Sequence, residues 1–356
     1  MPVHGGDIYR FINSGGIQLD FSVNTNPLGI PAPVLEALKK QAADFALYPD
    51  PYCRTLRAAL ALYEGISEKD ILCGAGASDL IYRLCLSCRP RRVLICAPTF
   101  SDYGLASQIA GAEVVSYRLS EQNNFRLTHT FLEKMSQDRT NKIDMVFLCN
   151  PNNPTGVLID PVLLAEIVQE CEKLAILLVV DECFLPFTKA ASLVLSKMPK
   201  NLAVLKAFTK TFALAGLRFG YLISSNQGLL TMAARAGSCW NVSVPAQIAA
   251  LGALGCRQHV QEANALIETE RSFLSRGLRA LGCTVFDSEV NFLLFKRDPA
   301  VALADALAEK GILIRSCENF HGLDRRYYRI GVKKHEANAT LLAAIHEAVN
   351  PLKEVT

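Results

Sequence analysis

What the chain lacks bounds it first. No apolar stretch reaches the roughly 20 residues that cross a bilayer as a helix, although half of the 356 residues are hydrophobic. The opening Met-Pro-Val-His-Gly-Gly-Asp has neither the basic region nor the apolar run of a secretion signal. The charge excess is only +3 and is scattered, so nothing argues for nucleic acid as a partner. The twelve cysteines lack a disulfide pattern and are spread through apparent strands and helices, as reduced thiols are. Cys85 and Cys88 form a single Cys-x-x-Cys with no second pair and no histidine nearby, which argues against zinc. Internal repeats and low-complexity linkers are missing as well. Together these absences predict a soluble, metal-free cytoplasmic protein, long enough for one large domain or two modest ones.

What is present alternates. After an irregular, glycine-rich start to about residue 31, Pro33 fits the first turn of a helix to about Ala43, and a second helix is expected from Arg54 to Glu64. Short apolar runs follow at Ile71–Cys73, Val93–Ala97, Met145–Cys149, Ile176–Val180, Ala203–Ala207 and Phe219–Ile223. Helical stretches such as Asp79–Ser87 and Pro161–Lys173 separate them. Near-continuous strands alternating with helices predict an α/β fold, with a mostly parallel sheet covered on both faces. Beyond about Gly237 one long helical region, Gln247 to about Leu281, precedes strands at Thr284–Phe286, Asn291–Phe295, Ile312–Arg315 and Tyr327–Val332, which reads as a smaller α+β domain. The expected division is 1–43 as a segment joining the small domain, 44–240 as the large domain and 241–356 as the small one.

The chemistry-bearing residues sit where the apolar runs end, the edge at which α/β sheets bind ligands. Lys210 lies among Phe208, Phe212 and Leu214, in surroundings that favour a neutral amine able to condense with a carbonyl group. Arg218, between Gly216 and Gly220, suits a fixed anion. The same residues also fit a buried strand whose lysine merely reaches the surface. Gly74-Ala75-Gly76-Ala77-Ser78-Asp79 turns from a strand into a helix and offers free N–H groups to a phosphate, or is simply a tight connection. Asn150-Pro151-Asn152-Asn153-Pro154-Thr155-Gly156 presents an asparagine amide at a strand end, and Val180-Asp181 ends an apolar run in a carboxylate that needs a cationic partner if buried.

These motifs resemble the class I/II, fold-type I enzymes that use pyridoxal 5′-phosphate (PLP). Thr209-Lys210 with Gly216-Leu217-Arg218-Phe219-Gly220 matches the family's attachment stretch, and the Asn150–Gly156 string matches Asn-Pro-x-Asn-Pro-Thr-Gly. The resemblance implies that Lys210 bonds the cofactor, Asp181 faces its ring nitrogen and Asn153 donates to its 3′-oxygen. It further implies that Phe100 stacks on the ring, while Gly76, Ala77, Ser78, Thr209 and Arg218 hold the phosphate. Ala207 departs from the serine usual at its position, which removes one donor to that phosphate.

Over essentially the whole chain the resemblance extends to two branches, the histidinol-phosphate aminotransferases and the threonine-phosphate decarboxylases of cobalamin synthesis. His4-Gly5-Gly6, the Leu19–Gly29 stretch, Phe184 in place of a tyrosine, and the stretches around Arg315 and Arg329 resemble the decarboxylases. This implies a small phosphorylated amino acid as substrate, held by Arg315 and Arg329 with His4 and Asn24 assisting. Tyr48 matches a tyrosine that reaches the cofactor phosphate of a neighbouring subunit, so the resemblance implies a homodimer. Transamination of histidinol phosphate remains the alternative activity.

Overall fold

In the computed structural model, which describes residues 5–14, 16–136, 142–195, 197–299 and 302–350, Leu19–Asp20 (β1) precedes the strands of a large sheet. These are Ile71–Gly74 (β2), Arg92–Ala97 (β3), Glu113–Arg118 (β4), Met145–Cys149 (β5), Leu177–Asp181 (β6), Leu202–Ala207 (β7) and Gly220–Ile223 (β8). Their order is β2-β8-β7-β6-β5-β3-β4. Every pairing is parallel except those of β8, which runs against both β2 and β7. An apolar run marks burial and not direction, so the reversal of β8 was invisible in the sequence.

Alternation along the central strands shows why the sheet is covered twice. In β5 all five residues are buried. Val146 and Leu148 join Leu163, Ile167 and Cys171 of the Pro161–Leu174 helix on one face. Met145 and Phe147 meet Leu80, Leu84 and Tyr103, from the Ala77–Cys88 and Ser101–Ile109 helices, on the other. The edge strand β4 has no fully buried residue and was not expected from the sequence.

The smaller layer is an antiparallel sheet in the order β12-β13-β10-β9, formed by Thr284–Val285 (β9), Phe292–Lys296 (β10), Arg315–Ser316 (β12) and Tyr327–Gly331 (β13). Ile312–Leu313 (β11) instead pairs in parallel with β1. The expected single strand Ile312–Arg315 is therefore split between two sheets at Ile314. The expected helix Gln247–Leu281 is also two helices, Val244–Leu254 and Arg257–Ala280, with Gly255 closing the first. The first helix ends at Lys40, short of Ala43, and a 3₁₀ turn follows over Ala42–Ala46.

Packing links segments that are far apart in the chain. Val34 and the Ala246–Ala253 face share one core with Phe208, Phe219 and Tyr221 of the large sheet, because an alanine-rich helix lies close against its neighbours. Phe21, by contrast, belongs to the core of the small sheet with Leu293, Tyr328 and Ile330.

Candidate active site

Because β2, β3, β5, β6 and β7 run the same way, the loops that follow them open at one edge of the sheet. A cavity of ≈ 890 Å³ lies there. Eleven of the residues expected at the site line it: Asn24, Ala77, Ser78, Phe100, Asn153, Asp181, Thr209, Lys210, Arg218, Arg315 and Arg329. Gly76 stands just behind, at the start of the Ala77–Cys88 helix. Tyr48 is not among the lining residues; it is 82% exposed and its ring meets Trp240 at 5.0 Å. His4 lies outside the described residues.

Lys210 sits in the single helical turn Phe208–Thr211 that follows β7. Burial depresses its amine to about pH 8, with Arg329 and Arg218 adding to the fall and the Cys183 thiol opposing it. At neutral pH the proton on Lys210 is therefore much more readily given up than that of a solvated lysine. Asp181 ends β6 at 5% exposure; its carboxylate accepts from the Tyr103 hydroxyl at 2.7 Å and the Cys183 N–H at 2.9 Å. Burial raises its pKa in spite of these donors, and it forms no ion pair among the described residues.

Two glycines shape the end of the cavity beside Arg218. Gly76 has φ +90, and a Cβ there would stand 2.8 Å from Nη2 of Arg218. Gly220, the last residue of the attachment stretch, lets β8 approach the turn: a Cβ would lie 2.7 Å from the Ala77 nitrogen. Arg218 itself adopts the left-handed φ of 58, a conformation that costs a non-glycine residue about 1–2 kcal/mol. Its guanidinium has one hydrogen-bond acceptor among the described residues, the Ala215 carbonyl at 3.4 Å. The Asp79 carboxylate holds the turn from within, accepting from the Ala75 N–H at 2.9 Å and pairing with Arg83 at 2.8 Å.

Opposite this end lie two arginines of the small sheet. Arg315 and Arg329 are direct partners across β12 and β13, and both are buried. Like charges directly opposite in a sheet repel, so such a pair gains most from an anion between them. Arg329 donates to the Asn153 side-chain oxygen and, at 2.8 Å, to the Ser22 carbonyl, both neutral acceptors. Its guanidinium lies over the Phe292 ring, and burial lowers its pKa to about 10. Since an arginine only donates, the Asn153 oxygen must face it, which leaves the Asn153 N–H₂ as that side chain's donor. Arg315 donates to Asn319 Oδ1 at 2.6 Å. Asn24 is 1% exposed, and its buried Oδ1 has no partner among the described residues.

Several site residues had no sequence signal of their own. Ser22 and Asn319 act through the backbone and side chain of distant segments that meet the two arginines only in the folded chain. Tyr103 had one available: it follows Phe100 by three residues at the start of a helix, which turns it toward the same strand end. Phe184 meets Phe292 edge-on at 5.0 Å, an apolar contact where a tyrosine would bring a hydroxyl.

The donors present fit PLP. A buried carboxylate without a countercharge suits a protonated ring nitrogen, the space at Gly76 and the adjacent helix start suit a phosphate beside Arg218, and Lys210 is disposed to lose its proton. The family model for aminotransferase class I and II matches residues 16–345. The threonine-phosphate decarboxylase of Salmonella typhimurium is 34% identical over 354 residues, covering 97% of this chain and 96% of that protein. The histidinol-phosphate aminotransferase of Roseiflexus castenholzii is 35% identical over 345 residues, covering 93% and 89%. Among solved structures, the histidinol-phosphate aminotransferase from Clostridium acetobutylicum superposes with a TM-score of 0.84 at 30% identity, covering 94% of this chain and all of that one. The chain belongs to the class I and II aminotransferase family. It is an enzyme of the fold-type I architecture, and its cofactor is PLP.

Proposed function

We propose that the chain decarboxylates L-threonine O-3-phosphate to (R)-1-amino-2-propanol O-2-phosphate, the role in cobalamin synthesis held by the threonine-phosphate decarboxylases. The observation that carries this reading is the buried Arg315–Arg329 pair, facing the cavity of Lys210 and joined across one strand pairing. Two guanidinium forks at that spacing suit a phosphate dianion.

When bound, PLP would supply an electron sink for the bond broken at the substrate Cα. The protein's part is positioning. Asp181 keeps the ring nitrogen protonated; Asn153 donates to the 3′-oxygen; Ala77, Ser78, Thr209 and Arg218 hold the cofactor phosphate at the other end. Arg315 and Arg329 anchor the substrate phosphate, with Asn24 beside them. With the carboxylate held perpendicular to the cofactor ring, CO₂ departs and Lys210 or water returns a proton to Cα. With Cα–H perpendicular, Lys210 removes that proton and the outcome is transamination. A small rotation separates the two reactions, because positioning carries much of the rate.

The absence of a hydroxyl at Phe184 supports decarboxylation. Transamination of histidinol phosphate is the second reading, because the Arg315–Arg329 pair suits its phosphate as well and the ≈ 890 Å³ cavity, which has to hold PLP beside the substrate, does not separate the two. Steady CO₂ release from threonine phosphate without any keto acid tests the assignment. A single burst of pyridoxamine phosphate without CO₂ would transfer it to the aminotransferases, since a transaminase stops after one half-reaction.

The reading extends to assembly and location. Leu47, Tyr48, Tyr52 and Trp240 are all more than half exposed, an apolar group that supports a homodimer with Tyr48 reaching the partner's cofactor phosphate. All twelve cysteines are free thiols, which supports a cytoplasmic location.

A further inference from the structure

A second cavity, of ≈ 340 Å³, shares no residue with the Lys210 site. One wall is a face of the Arg257–Ala280 helix bearing Arg271, Arg276 and Arg279. Successive residues turn by about 100°, so these three fall within about 140° of one another. Ser275 lies in the same arc, and its short side chain leaves room between the guanidiniums. The opposite wall is the Phe286–Ser288 stretch, with Leu293 beside it.

The arginines are held in place without being neutralised. Nη1 of Arg271 donates to the Val290 carbonyl at 3.0 Å, and Nη2 of Arg279 to the Val285 carbonyl at 3.2 Å. Each is thus tethered by one donor of a five-donor fork. Among the described residues none of the three forms an ion pair. The carboxylate on the wall, Asp287, instead faces Arg126 at 3.9 Å. Arg271 is half-buried, and desolvation outweighs the attraction of Glu268 and Glu289 in lowering its pKa. Three guanidiniums, two of them tethered, share a recess whose one lining carboxylate, Asp287, is turned to Arg126, and so outnumber the negative charge there and form an anion receptor.

We propose that this recess is a second anion site, taking the phosphoryl group of a phosphate monoester. Planar forks match phosphate oxygens in pairs. The volume is at the lower end of small-molecule sites, which run from about 300 Å³, and it exceeds what a bare phosphate fills. Phe286 and Leu293, at 5% and 2% exposure, give the carbon portion of an ester an apolar floor.

The test is equilibrium dialysis of the PLP-loaded enzyme at constant ionic strength, with glycerol 3-phosphate and inorganic phosphate as separate probes. The comparison is with the double variant Arg276→Ser, Arg279→Ser. Both side chains are exposed, so the variant keeps its PLP absorbance and its turnover at the Lys210 site. The expected result is one equivalent more of glycerol 3-phosphate on the wild type than on the variant, the lost site weakening at least about tenfold, as removal of charged hydrogen bonds does. Inorganic phosphate should occupy the same site more weakly. The same number of equivalents on both proteins, bound equally tightly, overturns the site. Equal affinity for the two probes overturns its assignment to an ester. None of these outcomes depends on which reaction the Lys210 site performs.

Discussion

Replacing Arg329 with glutamine separates what this side chain costs the fold from what it does for the substrate. Arg329 is 7% exposed, and burial brings its pKa from the usual arginine range down to about 10. At about 1.4 kcal/mol per unit, that is about 3 kcal/mol against the charged form. Its acceptors, the Asn153 oxygen and the Ser22 carbonyl, are neutral, and the opposing Arg315 adds repulsion. In the absence of phosphate, Arg329→Gln should therefore unfold no more easily than the wild type, since an amide N–H₂ replaces the lost donors without a charge. With a phosphorylated substrate the balance reverses. A guanidinium making two bonds to a phosphate contributes about 1.5–3 kcal/mol for each, so kcat/KM should fall by about a hundredfold to a few ten-thousandfold. The assays are initial rates of CO₂ release from threonine phosphate and thermal unfolding with and without inorganic phosphate. The wild type should be stabilised by phosphate more than the variant. A kcat/KM loss below about fivefold, or a lower unfolding temperature without ligand, would mean that Arg329 is a structural residue and the argument fails.

Three further outcomes follow from the same geometry. Lys210 is a base whose folded pKa, about 8, lies below its unfolded 10.5, so the unfolded chain binds more protons between these values. Its contribution to stability therefore rises with pH across that window, and PLP uptake by the apoenzyme should accelerate up to about pH 8 and then level off; acceleration continuing toward pH 10.5 would contradict the depressed value. Ala207→Ser restores a hydroxyl on a residue lining the cavity, and should tighten PLP binding by about 0.5–1.5 kcal/mol, or about two- to tenfold, read from the rate of cofactor loss on dialysis. Gly76→Ala combines a φ of +90 with a Cβ 2.8 Å from Arg218 Nη2; it should weaken PLP retention at least about tenfold while far-UV dichroism stays unchanged, and full retention would show that Arg218 is not held there.

The central strands and their terminal residues were legible in the sequence because every buried strand reads as a dense apolar run and its polar residue stands out at the end. Asn153, Asp181 and Lys210 are such residues, and the fold brings all three to one cavity. Strand direction was not legible, as β8 shows, nor was a half-exposed edge such as β4, whose Glu113 and Arg118 ends hide the pattern. The break at Gly255 was hidden because apolar spacing continues on both sides of it. Residues that act by supporting others, such as Ser22 beneath Arg329 and Asn319 beside Arg315, are set by contacts between remote segments. Their neighbours in sequence give no sign of them.

The pairing of β1 with β11 imposes an order on biosynthesis. Leu19 and Asp20 meet Ile312 and Leu313, and the Phe21 carbonyl accepts from the Gly331 N–H. This segment leaves the ribosome before the whole of the large sheet and must therefore wait for strands made after that sheet. The residues around Lys210, Asp181, Asn153 and Gly76 precede those strands, so the lysine half of the cavity is synthesised while the arginine half is still missing. A ribosome stalled before residue 312 would carry a nascent chain with the lysine half but neither Arg315 nor Arg329. The cavity is thus complete only when the growing chain folds back onto a segment made before its large sheet.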